Sequence, residues 1–152
     1  MNANAWKAAF WLVARIFDDL NLQMAVEQEI VSLMSQNLST MELQARRGNN
    51  CPILMACYHK VIRTTVSSIT ARGVVSECVI GDKKLPPGAC VIIPYRRMLL
   101  DEQIFGADAD SFNPLRFVRD PGLVKSSSFR PFRGRLAYCP RRFAVSCSKI
   151  VV

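Results

Sequence analysis

The 152-residue sequence has little of what zinc-binding, secreted or membrane-spanning proteins need. It has one histidine, His59, and its six cysteines form no Cys-x-x-Cys pair, so a structural zinc site is not expected. The longest uninterrupted apolar run, Ala8 to Ala14, is too short to span a membrane, and the flanking Lys7 and Arg15 do not fit a secretory signal. Without such a signal, we expect the cysteines to be free thiols in a reducing compartment.

Acidic residues are missing from one whole end of the chain. The formal net charge is +8, and the segment 121–152 contains neither Asp nor Glu. The basic residues of this segment carry nearly all of the excess charge, and they are Lys125, Arg130, Arg133, Arg135, Arg141, Arg142 and Lys149. A basic patch of this kind attracts nucleic acid, anionic lipid or an acidic protein. No nucleic-acid-binding motif accompanies it, so nucleic acid is not the expected partner.

Apolar residues, in contrast, make up 50% of the chain, and the mean hydropathy is +0.13. This length and composition suit one domain, and they also fit a piece cut from a larger core. The stretch Trp6–Phe17 is apolar almost all round, which predicts a helix buried on most sides and a truncated chain. The predicted helices are Trp6–Phe17, Leu20–Met34 after an Asp18-Asp19 cap, Thr40–Arg47, and Cys51-Pro52 to about Thr64 after an Asn50 cap.

Two β-rich runs follow the helices. Val74–Ile80 and Ala89–Ile93 are separated by Gly81-Asp82 and by Leu85-Pro-Pro-Gly88, a pattern that predicts a small antiparallel hairpin. The segment from residue 96 to residue 135 has little periodicity. A loop of that length in a compact domain indicates a function or a wrapped ligand.

Cys139 stands out because of its place in the pattern. It follows the Pro/Gly/Arg-rich loop 129–138 and precedes Pro140, where proline suits the first turn of a helix. A helix N-terminus and nearby arginines both favour the thiolate, which is the form that binds a metal or acts as a nucleophile. A buried, inert cysteine is the alternative, and the local residues favour neither.

The residues around Cys139 resemble the cysteine loop of the cytochrome P-450 (haem-thiolate monooxygenase) family. The matching residues are Phe129, Pro131, Phe132, Gly134, Cys139, Pro140, Arg142, Phe143 and Ala144. The resemblance implies that Cys139 is the proximal ligand of a haem iron, with Phe132 packed beside the sulfur. A thiolate in that place donates electron density to the iron and favours O–O cleavage.

Some positions differ from the family pattern. Arg135 and Arg141 stand where the family has glycine, and Ala137 stands where it usually has Arg or His for a haem propionate. Glycine serves where the backbone needs positive φ or a close approach to a ligand, so each arginine adds strain and bulk. In the first helix, Ala5 stands where the family usually has a proton-delivering alcohol; plain helix propensity also explains an alanine there.

Two further stretches resemble the same family. The family's Glu-x-x-Arg pair corresponds to Lys60-Val-Ile-Arg63, and its Phe-x-Pro-x-Arg-Phe meander corresponds to Phe105–Phe117. The resemblance implies that Arg63 and Arg116 lock the core behind the cysteine loop, and that Arg72 binds a haem propionate. Arg72 fits a solvated surface charge equally well. Lys60 is either buried, which leaves three cations without their carboxylate, or exposed on a solvated face.

The fold class implied by the resemblance is mainly α with a small antiparallel β hairpin, the incomplete C-terminal part of the cytochrome P-450 fold. Residues 1–152 are then one partial domain. Its helices lie in 1–64, its hairpin in 65–95, its meander and cysteine loop in 96–138, and the start of its final helix in 139–152.

The first functional hypothesis is a haem-dependent monooxygenase that inserts one oxygen atom into a small organic substrate. The resemblance implies a flavoprotein reductase or another electron donor on the basic face. It also implies an intracellular protein, with attachment to the endoplasmic-reticulum membrane as one option for the full-length form; no anchor is visible in this chain. The alternatives are a non-catalytic, truncated or decayed remnant that binds no haem, and a basic interaction module built on residues 125–149.

Overall fold

The computed structural model describes residues 3–36, 50–65 and 67–132. These residues form a mainly α structure with two small antiparallel sheets, so the predicted fold class is confirmed. The elements are α1 (Ala3–Phe17), α2 (Leu20–Met34), α3 (Pro52–Thr65), β1 (Ile69–Gly73), β2 (Cys78–Ile80), β3 (Lys83–Leu85), β4 (Cys90–Pro94), α4 (Tyr95–Leu99), α5 (Glu102–Phe105), α6 (Arg116–Arg119) and a 3-10 helix (Pro121–Lys125). None of the helices in this part of the chain is both long and apolar enough to cross a bilayer.

Helix α3 lies at the centre of the core. Its buried side chains include Leu54, Val61 and Ile62, which join one apolar cluster with residues of α1, α2 and the segment after β4. The observed span of this helix agrees with the predicted one, Cys51-Pro52 to about Thr64.

Helix α1 is less buried than its sequence predicts. It packs against α2 and α3 and buries Leu12 and Ile16 there. The opposite side is open, and Trp6, Phe10 and Phe17 are 60%, 65% and 66% exposed. The prediction of burial on most sides is therefore wrong within the described residues, because α2 and α3 both lie on one side of the helix.

The helix N-termini use two different caps. Asp19 caps α2 as predicted, since its side chain accepts hydrogen bonds from the N–H groups of Asn21 and Leu22. The first turn of α3 instead donates to a carboxylate from α2. The N–H groups of Ile53 and Leu54 donate to the two oxygens of Glu29 at 2.7 and 3.0 Å. Glu29, rather than the predicted Asn50, therefore accepts from this helix end.

The strands pair differently from the prediction. β4 pairs with β1, with Arg72 opposite Val91, and β2 pairs with β3 in a separate short hairpin. The run 74–80 does not continue as one strand, because the chain bends after Val74 and turns back at Gly81, whose φ is +62°. The predicted pairing of 74–80 with 89–93 is therefore wrong beyond Val74, whose N–H donates to Ala89 and whose carbonyl accepts from Gly88 next to the β1–β4 pair.

The segment after β4 is built from short helical turns. Gly106 ends α5 with a φ of +83°, and a Cβ placed there would lie 3.4 Å from the Asp108 carboxylate. Phe105, Phe117 and Phe129 from this segment are all buried in the core cluster. The segment therefore wraps closely against α3. The predicted helix Thr40–Arg47 lies outside the described residues.

Candidate functional site

Three cationic side chains meet where α3 contacts the segment after β4. Lys60 and Arg63 lie one turn apart on α3, and both are 0% exposed. Lys60 Nζ donates to the carbonyl oxygen of Ala109 at 3.0 Å. The Arg63 guanidinium donates to the same oxygen and to the carbonyl oxygen of Leu99. Two buried cations thus converge on one backbone oxygen.

Arg116 completes this cluster from the start of α6. It is 8% exposed, and its guanidinium donates to the carbonyl oxygens of Asn113 at 3.2 Å and Asp108 at 2.8 Å. It also forms an ion pair of 2.8 Å with the Asp108 carboxylate, which is about half exposed. We call Lys60, Arg63 and Arg116 the buried cation cluster.

Two members of this cluster, Lys60 and Arg63, have lowered pKa values. Burial, followed by repulsion from Arg63 and Arg116, lowers the pKa of Lys60 to about 7. Burial and repulsion from Arg116 lower the pKa of Arg63 to about 10. The alternative that Lys60 lies on a solvated face is excluded. The other alternative, a buried lysine where the family has a glutamate, is the one the structure contains.

One N–H group of the Arg63 guanidinium lacks a hydrogen-bond acceptor among the described residues. Its guanidinium carbon lies 4.4 Å from the centre of the Phe105 ring, and its Nε finds no hydrogen-bond acceptor among the described residues. Cation–π stacking offsets part of the desolvation of the guanidinium. It does not replace the two acceptor oxygens that a carboxylate would bring.

An aromatic cluster lies beside the cations. The centre of the His59 ring lies 5.5 Å from that of Phe117 and 5.8 Å from that of Phe129. The ring centres of Phe117 and Phe129 are 5.5 Å apart, and the angle between the two ring planes is 62°. Edge-on aromatic pairs of this kind add specific geometry to the burial of apolar area. Phe132 is half-buried and packs against the same core. The aromatic cluster therefore holds the chain at Phe129, where the predicted cysteine loop begins.

The structure brings some of the predicted site residues together and not others. Arg63 and Arg116 share one site, and Phe132 packs against the core cluster. Arg72 lies apart on β1 and is exposed, so its guanidinium is accessible to an anionic group. Cys139 and the variant loop positions Arg135, Ala137 and Arg141 lie outside the described residues.

Sequence reasoning missed the groups that accept from these cations. The main acceptors are backbone carbonyls at residues 99, 108 and 109, and carbonyl groups leave no signal in a sequence. Asp108 is the one side chain that could have been found, because it lies in the meander eight residues before Arg116. Glu29 carries no comparable signal, since its partners lie 24 and 25 residues further along the chain.

Some of the described residues have side chains of the types that contact a haem group. Arg72 offers an accessible cation for a propionate, and Phe132 offers an aromatic face at the edge of the core. The apolar side of α1, which carries Trp6 and Phe10, offers a hydrophobic surface of the kind a porphyrin needs. Each of these groups suits haem by its own chemistry, and the proposed thiolate ligand, Cys139, lies outside the described residues.

Comparison with known proteins gives consistent results. The chain matches the family model described as Cytochrome P450 over residues 7–134. It is 24% identical over 140 residues to cytochrome P450 monooxygenase nodJ of Hypoxylon pulicicidum, covering 86% of this chain and 26% of that protein. It is 42% identical over 51 residues to cytochrome P450 709B1 of Arabidopsis thaliana, covering 34% of this chain and 10% of that protein.

A third relative is cytochrome P450 709B3 of Arabidopsis thaliana, which is 32% identical over 85 residues, 54% of this chain and 16% of that protein. The chain therefore spans between a tenth and about a quarter of the length of these three relatives. The match of the family model covers most of the chain, including all three residues of the buried cation cluster. This protein belongs to the cytochrome P450 family.

Proposed function

We propose that this chain supplies the haem-binding part of a haem-thiolate monooxygenase, with Cys139 as the axial ligand of the iron and residues 1–152 as one partial domain. The observation that supports this proposal is the attachment of the meander to α3. Arg63 and Arg116 both donate to backbone carbonyls of the segment 99–113, and Phe117 and Phe129 pack beside them. The chain would therefore enter the cysteine loop from a fixed position.

Each proposed site residue has a distinct role. Arg72 would bind a propionate carboxylate, and Phe132 would shield the sulfur of Cys139 from water. Arg63 and Arg116 would position the loop through the meander rather than touch the cofactor. Haem, when bound to a thiolate, supplies the activation of O2 for insertion of one oxygen atom into an organic substrate. A flavoprotein reductase or another electron donor would bind through the basic residues of the segment 121–152, which contains no acidic residue.

A second candidate, a non-catalytic remnant that binds no haem, is favoured by the burial of Lys60. One half-exposed carboxylate, Asp108, faces three cations at this site. An uncompensated buried charge costs roughly 3 to 5 kcal/mol, a large share of the stability of an ordinary domain. The buried lysine would therefore weaken the platform on which the first proposal depends.

Haem binding separates the two candidates. The chain is purified, incubated with haemin, reduced and treated with carbon monoxide, and the Soret band is recorded. A thiolate-type band that Cys139→Ser abolishes and Cys147→Ser retains supports the first proposal, because both cysteines lie in the same segment. If the wild-type chain takes up no haem, the double variant Arg135→Gly, Arg141→Gly is tested in the same way. If this variant also takes up no haem, the result favours the non-catalytic remnant.

A further inference from the structure

The Lys60 amine is enclosed by groups from two parts of the chain. Arg63 lies beside it on α3, and Arg116 faces it from α6. Asp108 and Asp110 are the acidic groups that act on it from the meander. Its own hydrogen bond goes to the Ala109 carbonyl, which also accepts from Arg63. The amine therefore lies at the contact that joins α3 to the meander.

We propose that Lys60 is a proton-controlled latch between α3 and the meander segment 100–119. A neutral amine can donate to the Ala109 oxygen without adding charge to the two guanidinium groups. A protonated amine becomes a third cation in a site that is closed to water, where the carboxylate of Asp108 is half exposed and already paired with Arg116. Proton uptake by Lys60 thus loosens the meander, and proton loss tightens it.

The direction of the pH effect follows from linkage. The pKa of Lys60 is about 7 in the closed structure, against an ordinary value of 10.5 for a lysine in water. Between these two values the open form binds one more proton than the closed form, so raising the pH stabilises the closed form. The equilibrium constant for opening should fall up to about tenfold for each pH unit in this window. Below pH 7 both forms are protonated and the dependence disappears.

This latch goes beyond the proposed function, and it does not require haem. Phe117, which lies within the meander, packs against Phe129, and both rings pack against His59. A loosened meander would therefore weaken the packing of Phe129, where the predicted cysteine loop begins. The family pattern has a glutamate at this position, so the latch is a property of this chain's own Lys60.

Hydrogen exchange on the full chain tests the latch. Protection of peptides spanning residues 100–119 is measured by mass spectrometry between about pH 7 and pH 8.5 and corrected for intrinsic exchange rates. In wild type and in Lys84→Met, which removes an exposed lysine, the equilibrium constant for opening should fall steeply as the pH rises. Lys60→Met should show no such fall. A flat wild-type profile, or an equal slope in Lys60→Met, would overturn the proposal.

Two features of the experiment separate the contribution of Lys60 to the pH dependence from that of other titratable groups. His59 is retained in Lys60→Met, so any contribution from its imidazole cancels in the comparison. The window ends below pH 9 because burial raises the pKa of Cys57 from 9.0 to about 12, which would oppose the lysine effect at higher pH.

If Lys60→Met does not fold, the titration of the lysine amines in the wild-type chain is followed by NMR. Lys60→Arg keeps the cation and removes one resonance, which assigns the signal. A lysine signal with a midpoint near 7 supports the latch. An ordinary midpoint near 10.5 for every lysine would overturn it.

Discussion

The two ends of α3 show opposite ways of placing charge next to a helix terminus. At the N-terminal end, the single carboxylate of Glu29 accepts from two N–H groups, so a negative charge meets the positive end of the helix dipole. At the other end, Lys60 and Arg63 place positive charge in the last turns, which the dipole also favours. The two ends differ in the number of charges. Glu29 is a single anion at the N-terminal end, whereas Lys60, Arg63 and Arg116 place three cationic side chains at the C-terminal end.

The largest effect is expected when the cation at position 60 is replaced by an anion. Lys60→Glu should raise the free energy of unfolding by roughly 3 to 5 kcal/mol at pH 7, because a carboxylate there would lie between Arg63 and Arg116. Urea denaturation measures the change.

Lys60→Met is the matched control for this substitution, since it removes the cation without supplying a carboxylate. It should give a smaller gain than Lys60→Glu. A loss of stability in Lys60→Glu would show that the charge balance of the cluster is not what limits it.

The opposite end of α3 offers a smaller test. Glu29→Ala should lower the free energy of unfolding by about 1 to 2 kcal/mol, because two N–H groups of the first turn lose their acceptor. Glu27→Ala, on the same helix and exposed, should change it by less than about 0.5 kcal/mol. Equal effects of the two substitutions in urea denaturation would contradict the capping role.

The smallest effect concerns Asp108, whose carboxylate forms an ion pair with Arg116 of the buried cation cluster. Hydrogen bonds from Asn113 and Arg116 hold the pKa of Asp108 below its ordinary value of 3.8. Its stabilising contribution is therefore present above pH 3.8 and is lost as the pH falls through the lower, folded-state pKa. Asp108→Asn should make urea midpoints less sensitive to acid below about pH 4.

Asn113→Ala removes one of the two donors to Asp108 and should shift acid sensitivity in the same direction by a smaller step. An unchanged acid profile in both variants would mean that the ion pair with Arg116 contributes nothing to stability.

The spans of α2 and α3 were predictable because their signals are local. Asp19 precedes α2 directly, and Pro52 stands at the first position of α3. The pairing of the strands depends on which segments meet after two turns. The β-rich run 74–80 has the pattern of one strand in the sequence, yet the bend after Val74 leaves β1 as the partner of β4.

The cation cluster was predictable in part. The motif match picked out Arg63 and Arg116, but it left the exposure of Lys60 undecided, because the carbonyl that decides it belongs to Ala109, 49 residues away. The open side of α1 could not be predicted for a related reason. An apolar pattern indicates that a face should be covered, and it contains no information about whether the covering residues are in the same chain.

That open side of α1 determines how the isolated chain will behave in the laboratory. Its large aromatic side chains, Trp6, Phe10 and Phe17 among them, lie in contact with water. A surface of this kind favours self-association. Spectra and denaturation curves therefore need to be repeated at several protein concentrations, and a mild detergent that coats α1 is the natural additive for keeping the chain monodisperse.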